Sequence, residues 1–223
     1  MIYVSIDIET SGLNHDMNHV LSIGAIIEDT SKKLPFEQCP KFNAIVLQNN
    51  IQGSPRAITM NQNIISLMGL YLEANQEDKA KLQMVEDLQP YGYKFYTEDD
   101  VIKEFYTFLW CNGFGSLDSP SVHVNGKLTP IIDGRTKPIT LNVAGKNFGT
   151  FDKLFLQELP WWQKLIKTRQ RMLDPAILMV DWANDTSLPN LTTCKERADV
   201  SGIVTHNALE DAWDVIEVMR KFY

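Results

Sequence analysis

Asp7 and Glu9 stand two residues apart in Ile2-Tyr3-Val4-Ser5-Ile6-Asp7-Ile8-Glu9, a stretch in which apolar side chains alternate with the others. In an extended strand successive side chains project to opposite sides, so Ile2, Val4, Ile6 and Ile8 share one face and Tyr3, Ser5, Asp7 and Glu9 share the other. Both carboxylates therefore leave the same face near the C-terminal end of the strand. Two such charges repel unless a cation sits between them, and hard oxygen ligands at that spacing suit Mg²⁺ or Mn²⁺. An isolated pair would be explained as well by two incidental acids on a solvated edge. The wholly apolar opposite face weakens that explanation, because it makes the strand central to a sheet.

A third acid comes from the C-terminal helical pattern. Glu210, Asp214, Glu217 and Lys221 recur at i, i+4, i+7 and i+11 and form the expected solvent face, while Ala208, Asp211, Val215, Val218 and Phe222 make an inward stripe. Asp211 is thus an acid on the apolar side, where it needs a cation or hydrogen-bond donors. His206, five residues earlier, stands at or just before the helix start; alone it reads as a surface or capping residue. Asp152 falls in the first turn of a helix expected over about 150–159, where the helix dipole by itself would stabilise it. Asp174-Pro175 differs, since an N-cap Asp followed by Pro at the first helical position accounts for both residues. Asp174 is left out of the candidate site.

The elements that must position these residues follow from periodicity. After the first strand, Thr10-Ser11-Gly12-Leu13-Asn14 reads as a turn, 20–27 as a buried strand and 42–47 as a third, an antiparallel meander. Helices are expected over 55–72 and 99–110, with a charged, weakly patterned surface insertion between them. Asn125-Gly126 and Asp133-Gly134 are hairpin signals, so 113–138 reads as a small β excursion. Residues 139–144 form a further apolar strand, and the remainder is mostly helical. At 223 residues, without repeats or linkers, the chain is expected to be one α/β domain with insertions at about 73–97 and 115–138.

Composition excludes several classes. Hydrophobic content of 44% with 22% charged residues is that of a folded protein, with no apolar run long enough to span a bilayer. The first residues lack a basic lead and an apolar core, so no secretory signal is expected and the protein is placed in the cytoplasm. Cys39, Cys111 and Cys194 are scattered and odd in number, which argues for buried, reduced thiols rather than disulfides or structural zinc. A net charge of −7 is unlike that of a protein coating long nucleic acid. Two bound divalent cations would bring it to about −3, compatible with an enzyme gripping a short end through local positive charge. Lys127, Arg135, Lys137 and Lys146 are the local basic concentration in the second half. Lys127 is expected to be ordinary turn surface. Arg135, Lys137 and Lys146 are expected to reach over the site and contact substrate phosphates.

Three strings, Asp7 to Leu13 (DIETSGL), Gly145 to Asp152 (GKNFGTFD) and His206 to Ala212 (HNALEDA), resemble the three motifs of the DEDDh exonuclease family. That family includes the proofreading subunit of bacterial DNA polymerase III, ribonuclease T and oligoribonuclease. The motifs occur in the family's order and span nearly the whole chain; each alone is weak, and together they are specific. Residues 19–25 and 188–191 add supporting similarity. Ser22 stands where many relatives carry Glu, the gap between Glu9 and Asp152 is long, and the step from Asn147 to Asp152 is nearer to that of oligoribonuclease.

The resemblance implies a ribonuclease H-like fold, a five-stranded mixed sheet with helices on both faces. It implies that Asp7, Glu9, Asp152 and Asp211 hold two Mg²⁺ or Mn²⁺ ions and that His206 is the general base. The reaction would release nucleoside 5′-monophosphates from 3′ ends of single-stranded DNA or RNA. It further implies that Thr10, Ser11, Gly12, Leu13 and Asn147 contact substrate, with Leu13 either an apolar wedge against bases or a core residue in the turn. A polymerase or replication partner is admitted by the likeness to the proofreading subunit. Two other classes stand beside this reading: a catalytically silent nucleic-acid or polymerase-binding module, and a phosphodiesterase of small nucleotides.

Overall fold

The computed structural model describes residues 1–79, 92–116 and 118–223. The alternating stretch forms Ile2–Thr10 (β1), which pairs antiparallel with Val20–Asp29 (β2), Asp7 opposite Gly24 and Glu9 opposite Ser22. β2 pairs antiparallel with Lys41–Leu47 (β3), completing the expected meander. β3 in turn pairs in parallel with Lys94–Thr97 (β4). Further along lie the hairpin Ser121–Val124 (β5) and Lys127–Pro130 (β6), then Ile139–Leu141 (β7), Val143–Ala144 (β8) and Ile166–Thr168 (β9). β8 joins β1 in parallel, giving the order β4-β3-β2-β1-β8, a five-stranded mixed sheet in an α/β fold. The C-terminal ends of β1, β3, β4 and β8 therefore lie at the same end of the sheet.

Alternation on β1 separates two cores. Val4, Ile6 and Ile8 pack with Val101, Ile102 and Phe105 of the Glu98–Leu109 helix. On the opposite face Tyr3 and Ile26 pack with Leu209, Val215 and Ile216 of the C-terminal helix, Ala208–Met219. Asp7 and Glu9 share the second face, and the start of the C-terminal helix closes over it. Its approach depends on Gly24, because a Cβ there would overlap the Ala208 carbonyl carbon and the Leu209 nitrogen. Just past the other end of this helix, Arg220 pairs with Glu28 through Nε–Oε1 at 2.9 Å and Nη2–Oε2 at 2.6 Å. Among the described residues no helix is long and apolar enough to cross a membrane.

Several expectations are corrected. The helical pattern over 55–72 is two helices, Pro55–Met60 and Gln62–Glu73, because Asn61 leaves helical geometry and its Nδ2 donates to the Thr10 and Ala57 carbonyls. Within the insertion expected at 73–97, Lys94–Thr97 is instead a strand of the main sheet, too short to show a period; residues 80–91 of that insertion lie outside the described residues. In the insertion at 115–138, Asn125 and Gly126 both have positive φ (50° and 77°), as a type I′ hairpin turn requires. Asp133-Gly134 makes no hairpin: the Asp133 carboxylate accepts the Arg135 backbone N–H at 2.7 Å and forms a side-chain-closed turn. The apolar run 139–144 is split at Asn142, with β7 paired to β9 and β8 to β1, and β9 lies in a region read as helical. Cys39 and Cys194 are buried and free, but Cys111 is exposed.

Gly24→Ala should force the C-terminal helix off the sheet and lower stability by about 1–3 kcal/mol, the usual cost of overpacking. Denaturant unfolding of the variant checks this; an unchanged midpoint would show that the helix start does not rely on that contact.

Candidate active site at the end of the central strand

Each acid reaches the site by a local device. Asp7 and Glu9 come from the alternation of β1. Asp152 arrives because β8 stops at Ala144, which leaves the far edge of β1 without a neighbouring strand. The chain then turns through residues 145–151 and begins the Asp152–Glu158 helix, where Asp152 Oδ1 accepts the free Ile8 backbone N–H at 3.1 Å. Asn147 holds that turn in a left-handed conformation, φ 58°, and its N–H donates to Asp174 Oδ2 at 3.0 Å. Asp174 Oδ1 meanwhile accepts the Ala176 N–H, the N-cap role read from sequence. Asp211 projects from the sheet-facing side of the C-terminal helix, whose N-cap is Asn207. His206, just before that cap, is exposed with φ 55°.

The structure brings these residues together. Glu9, His206 and Asp211 present ligand atoms within 4.8 Å of one another. Asp7 and Asp152 lie outside that tightest group but share its charge field. Burial, then the charges of Asp152, Asp211 and Glu9, hold the Asp7 carboxyl well above the ordinary carboxylate range. Burial and then the Asp211 charge push Glu9 up to about 7, against a hydrogen bond from Asn61. Burial raises Asp152 to about 7 despite backbone hydrogen bonds, and burial followed by the Asp214 charge raises Asp211 to about 7. Asp211 Oδ1 is buried without a hydrogen-bond partner. Anionic oxygens converging in this way, one of them orphaned, fit a divalent cation.

Asp214 corrects the sequence reading. It lies not on a solvent face but 7% exposed, paired to the buried Lys195 ammonium at 2.6 Å, because the Leu191–Arg197 helix covers that side. Phe222, read as part of the inward stripe, lies beyond the helix end and is half exposed.

Beside Glu9 opens a cavity of about 330 Å³ lined by Ile8, Leu13, Arg56, Met60 and Phe151 among others. Leu13, 85% exposed, stands at its rim, so the core alternative for this residue is excluded. Thr10 and Gly12 line the same cavity, with the Thr10 hydroxyl donating to the Gly12 carbonyl at 2.7 Å. Ser11 does not: its side chain is fully buried, donating to the Gln52 carbonyl and accepting the His19 N–H, so it secures the turn.

The basic residues are distributed otherwise than expected. Lys137 precedes Val143 by six residues, and Val143 is level with Val4, itself five residues before Glu9. Lys137 and Arg135 therefore precede the strand that leads toward the carboxylates. Both are also paired, Arg135 with Asp133 at 2.7 Å and Lys137 with Asp118 at 3.1 Å. Lys146 is at the correct end, half-buried, with Nζ donating to Asn147 Oδ1 at 2.6 Å.

Residues the sequence reading missed are Asn61, Arg56 and Gly24. Only Gly24 carried a signal, a lone glycine inside an apolar strand, which marks a close backbone approach.

No protein-family model matches the chain, and no curated protein matches it in sequence. Solved structures do. Escherichia coli exonuclease I in complex with a dT13 oligonucleotide is 12% identical over 98% of this chain, with a TM-score of 0.53. The exonuclease I of Methylocaldum szegediense is 14% identical over 99%, with a TM-score of 0.54. Cell-death related nuclease 4 is 12% identical over 99%, with a TM-score of 0.50. The chain spans 40% of the length of the exonuclease I chains and 62% of the nuclease 4 chain. At these identities the likeness shows that the chain shares the fold of these nucleases.

The raised carboxyls have a consequence for stability. A group whose folded pKa lies above its unfolded value keeps protons that the unfolded chain releases, so these acids destabilise the metal-free fold increasingly as pH rises from about 4 to about 7. With chelator present, Asp211→Asn should therefore gain in melting temperature over the unmodified chain between pH 5 and pH 7.5, and Mn²⁺ at pH 7.5 should narrow that gap. A difference independent of pH and cation would show that the acids do not repel.

Proposed function

We propose that the chain is a 3′-to-5′ exonuclease that removes nucleoside 5′-monophosphates from the end of single-stranded DNA or RNA, with two Mg²⁺ or Mn²⁺ ions held by Asp7, Glu9, Asp152 and Asp211. The observation that carries this reading is the convergence of those four acids and His206 at one end of β1, beside a cavity of about 330 Å³ that suits one nucleotide. The fold shared with exonuclease I supports it, as does the dT13 oligonucleotide in complex with the E. coli protein. A binding module without catalysis would have no use for the unpartnered Asp211 oxygen or for acids gathered against their own repulsion.

When bound, the cation pair polarises the phosphodiester and lowers the cost of ionising a water. The chain's own residues do the rest. The carboxylates give up their protons to receive the cations, and the Ile8 N–H keeps Asp152 turned toward the site. A backbone N–H from Thr205 to Asp211 ties the loop carrying His206 to the helix that carries the acid. The exposed imidazole of His206 is thereby set beside Glu9 and Asp211, where its free nitrogen accepts the proton of the attacking water. Leu13 at the cavity rim separates the last base from the next, and the apolar walls exclude water from around it.

Incubation with 5′-labelled single-stranded DNA and RNA, with and without Mg²⁺ or Mn²⁺, should give a metal-dependent ladder from the 3′ end. Asp211→Asn should abolish it while the variant remains folded; full activity in that variant would remove the site assignment.

His206→Ala should lower kcat by roughly 10²- to 10⁴-fold with little change in KM, the loss expected of a general base. An unaltered rate and pH profile would make His206 structural.

A further inference from the structure

We infer that Arg56 reads the base of the terminal nucleotide and makes the enzyme favour strands ending in guanine; the inference rests on the proposed exonuclease reading and names the specificity of that same cavity. Arg56 lines the cavity beside Glu9, is exposed, and engages no hydrogen bond or ion pair among the described residues. An unpaired guanidinium facing a recess with apolar walls has five N–H donors to offer a ligand and nothing in the protein to receive them.

Its place in the cavity decides which part of a nucleotide it meets. Asn61, at the end of the Pro55–Met60 helix, hydrogen-bonds to Glu9 and to the Thr10 carbonyl, so that end of the helix adjoins the carboxylates. Arg56 is five residues earlier, on the order of 7 Å further along the helix axis. The start of the helix is anchored by the Ser54 N–H, which donates to the Ser11 carbonyl at 2.9 Å beside the turn that carries Leu13. Glu9 and Arg56 thus mark opposite ends of one cavity. A scissile phosphate must face the carboxylates, the sugar follows, and the base is what extends to Arg56 between Leu13, Met60 and Phe151.

Among the edges that bases turn to the major groove of a duplex, guanine's alone offers two acceptors, O6 and N7, in the spacing of a guanidinium fork. Adenine replaces one with an amine donor, cytosine presents an amine, and uracil or thymine presents a single carbonyl there. Lysine would keep the charge but lose the fork.

The test is kcat/KM on four single strands identical but for the 3′-terminal nucleotide, for the unmodified enzyme, Arg56→Lys and Arg56→Gln. The guanine end should be preferred by on the order of tenfold or more, and the ratio should fall toward one in both variants. Four equal values, or a preference that survives in Arg56→Gln, would overturn the inference. So would a uniform loss in Arg56→Gln with Arg56→Lys near the unmodified enzyme, which would assign the residue to phosphate. Calorimetric binding of the four nucleoside 5′-monophosphates in the presence of Mg²⁺ measures the same preference without turnover. If no strand is hydrolysed, the exonuclease reading fails on its own, and equal affinities for the four monophosphates would overturn the base reading separately.

Discussion

The seating of the C-terminal helix on Gly24 is the contact on which the rest of the molecule depends. Asp7 is the register partner of Gly24, and Asp211 follows Ala208, which touches that glycine, by three residues, nearly one helical turn. The approach of two backbones, made possible by a missing side chain, therefore sets the separation of acids that are some two hundred residues apart in the chain. The opposite end of the helix is pinned by the bidentate Arg220–Glu28 pair and by the Tyr223 hydroxyl, which meets the hydroxyl of Tyr3 at 2.9 Å. A helix fixed at both ends cannot tilt to relieve repulsion at one of them.

That rigidity explains how acids can be gathered where burial and mutual charge disfavour them. Each has partial compensation from the scaffold: Asp152 from the Ile8 N–H, Glu9 from Asn61, Asp211 from the Thr205 N–H and from the more distant Lys195 ammonium. None of these neutralises a carboxylate, and one Asp211 oxygen receives no donor at all. Lys195 is itself held by Asp214, so this buried cation is already paired. The remaining charge is local and lined with oxygen, an arrangement that a hard dication would fit.

Net charge and local charge work in different places. An overall −7 leaves the surface unattractive to long polyanions, and Arg135 and Lys137 of the second insertion are paired with Asp133 and Asp118. On the proposed exonuclease reading, engagement of a strand would rest on its last nucleotide, in a cavity lined by Glu9 and Arg56. The turn after β1 forms one wall and the Pro55–Met60 helix the other, joined through Ser11, Ser54 and Asn61.

How much of this was legible depended on the range of the physics involved. Alternation made β1 a central strand and placed Asp7 and Glu9 on one face, and helical periodicity turned Asp211 inward, because both patterns are properties of a few consecutive residues. The three motifs likewise announced the fold. Asp214, by contrast, occupies a position that helical periodicity assigns to solvent and is buried only because a second helix lies across it. Lys94–Thr97 is too short to have a period and is a strand only because β3 offers an edge. Arg135 and Lys137 are close to Asp152 in sequence yet paired with Asp133 and Asp118, partners that no local pattern announced. Arg56, with no pattern of its own, reaches the cavity because Asn61 breaks its helix to bond with Thr10. Residue spacing determines which face a side chain takes within one element; which elements meet, and at which end, is set by strand register and close packing between distant segments, and those exist only in the folded chain.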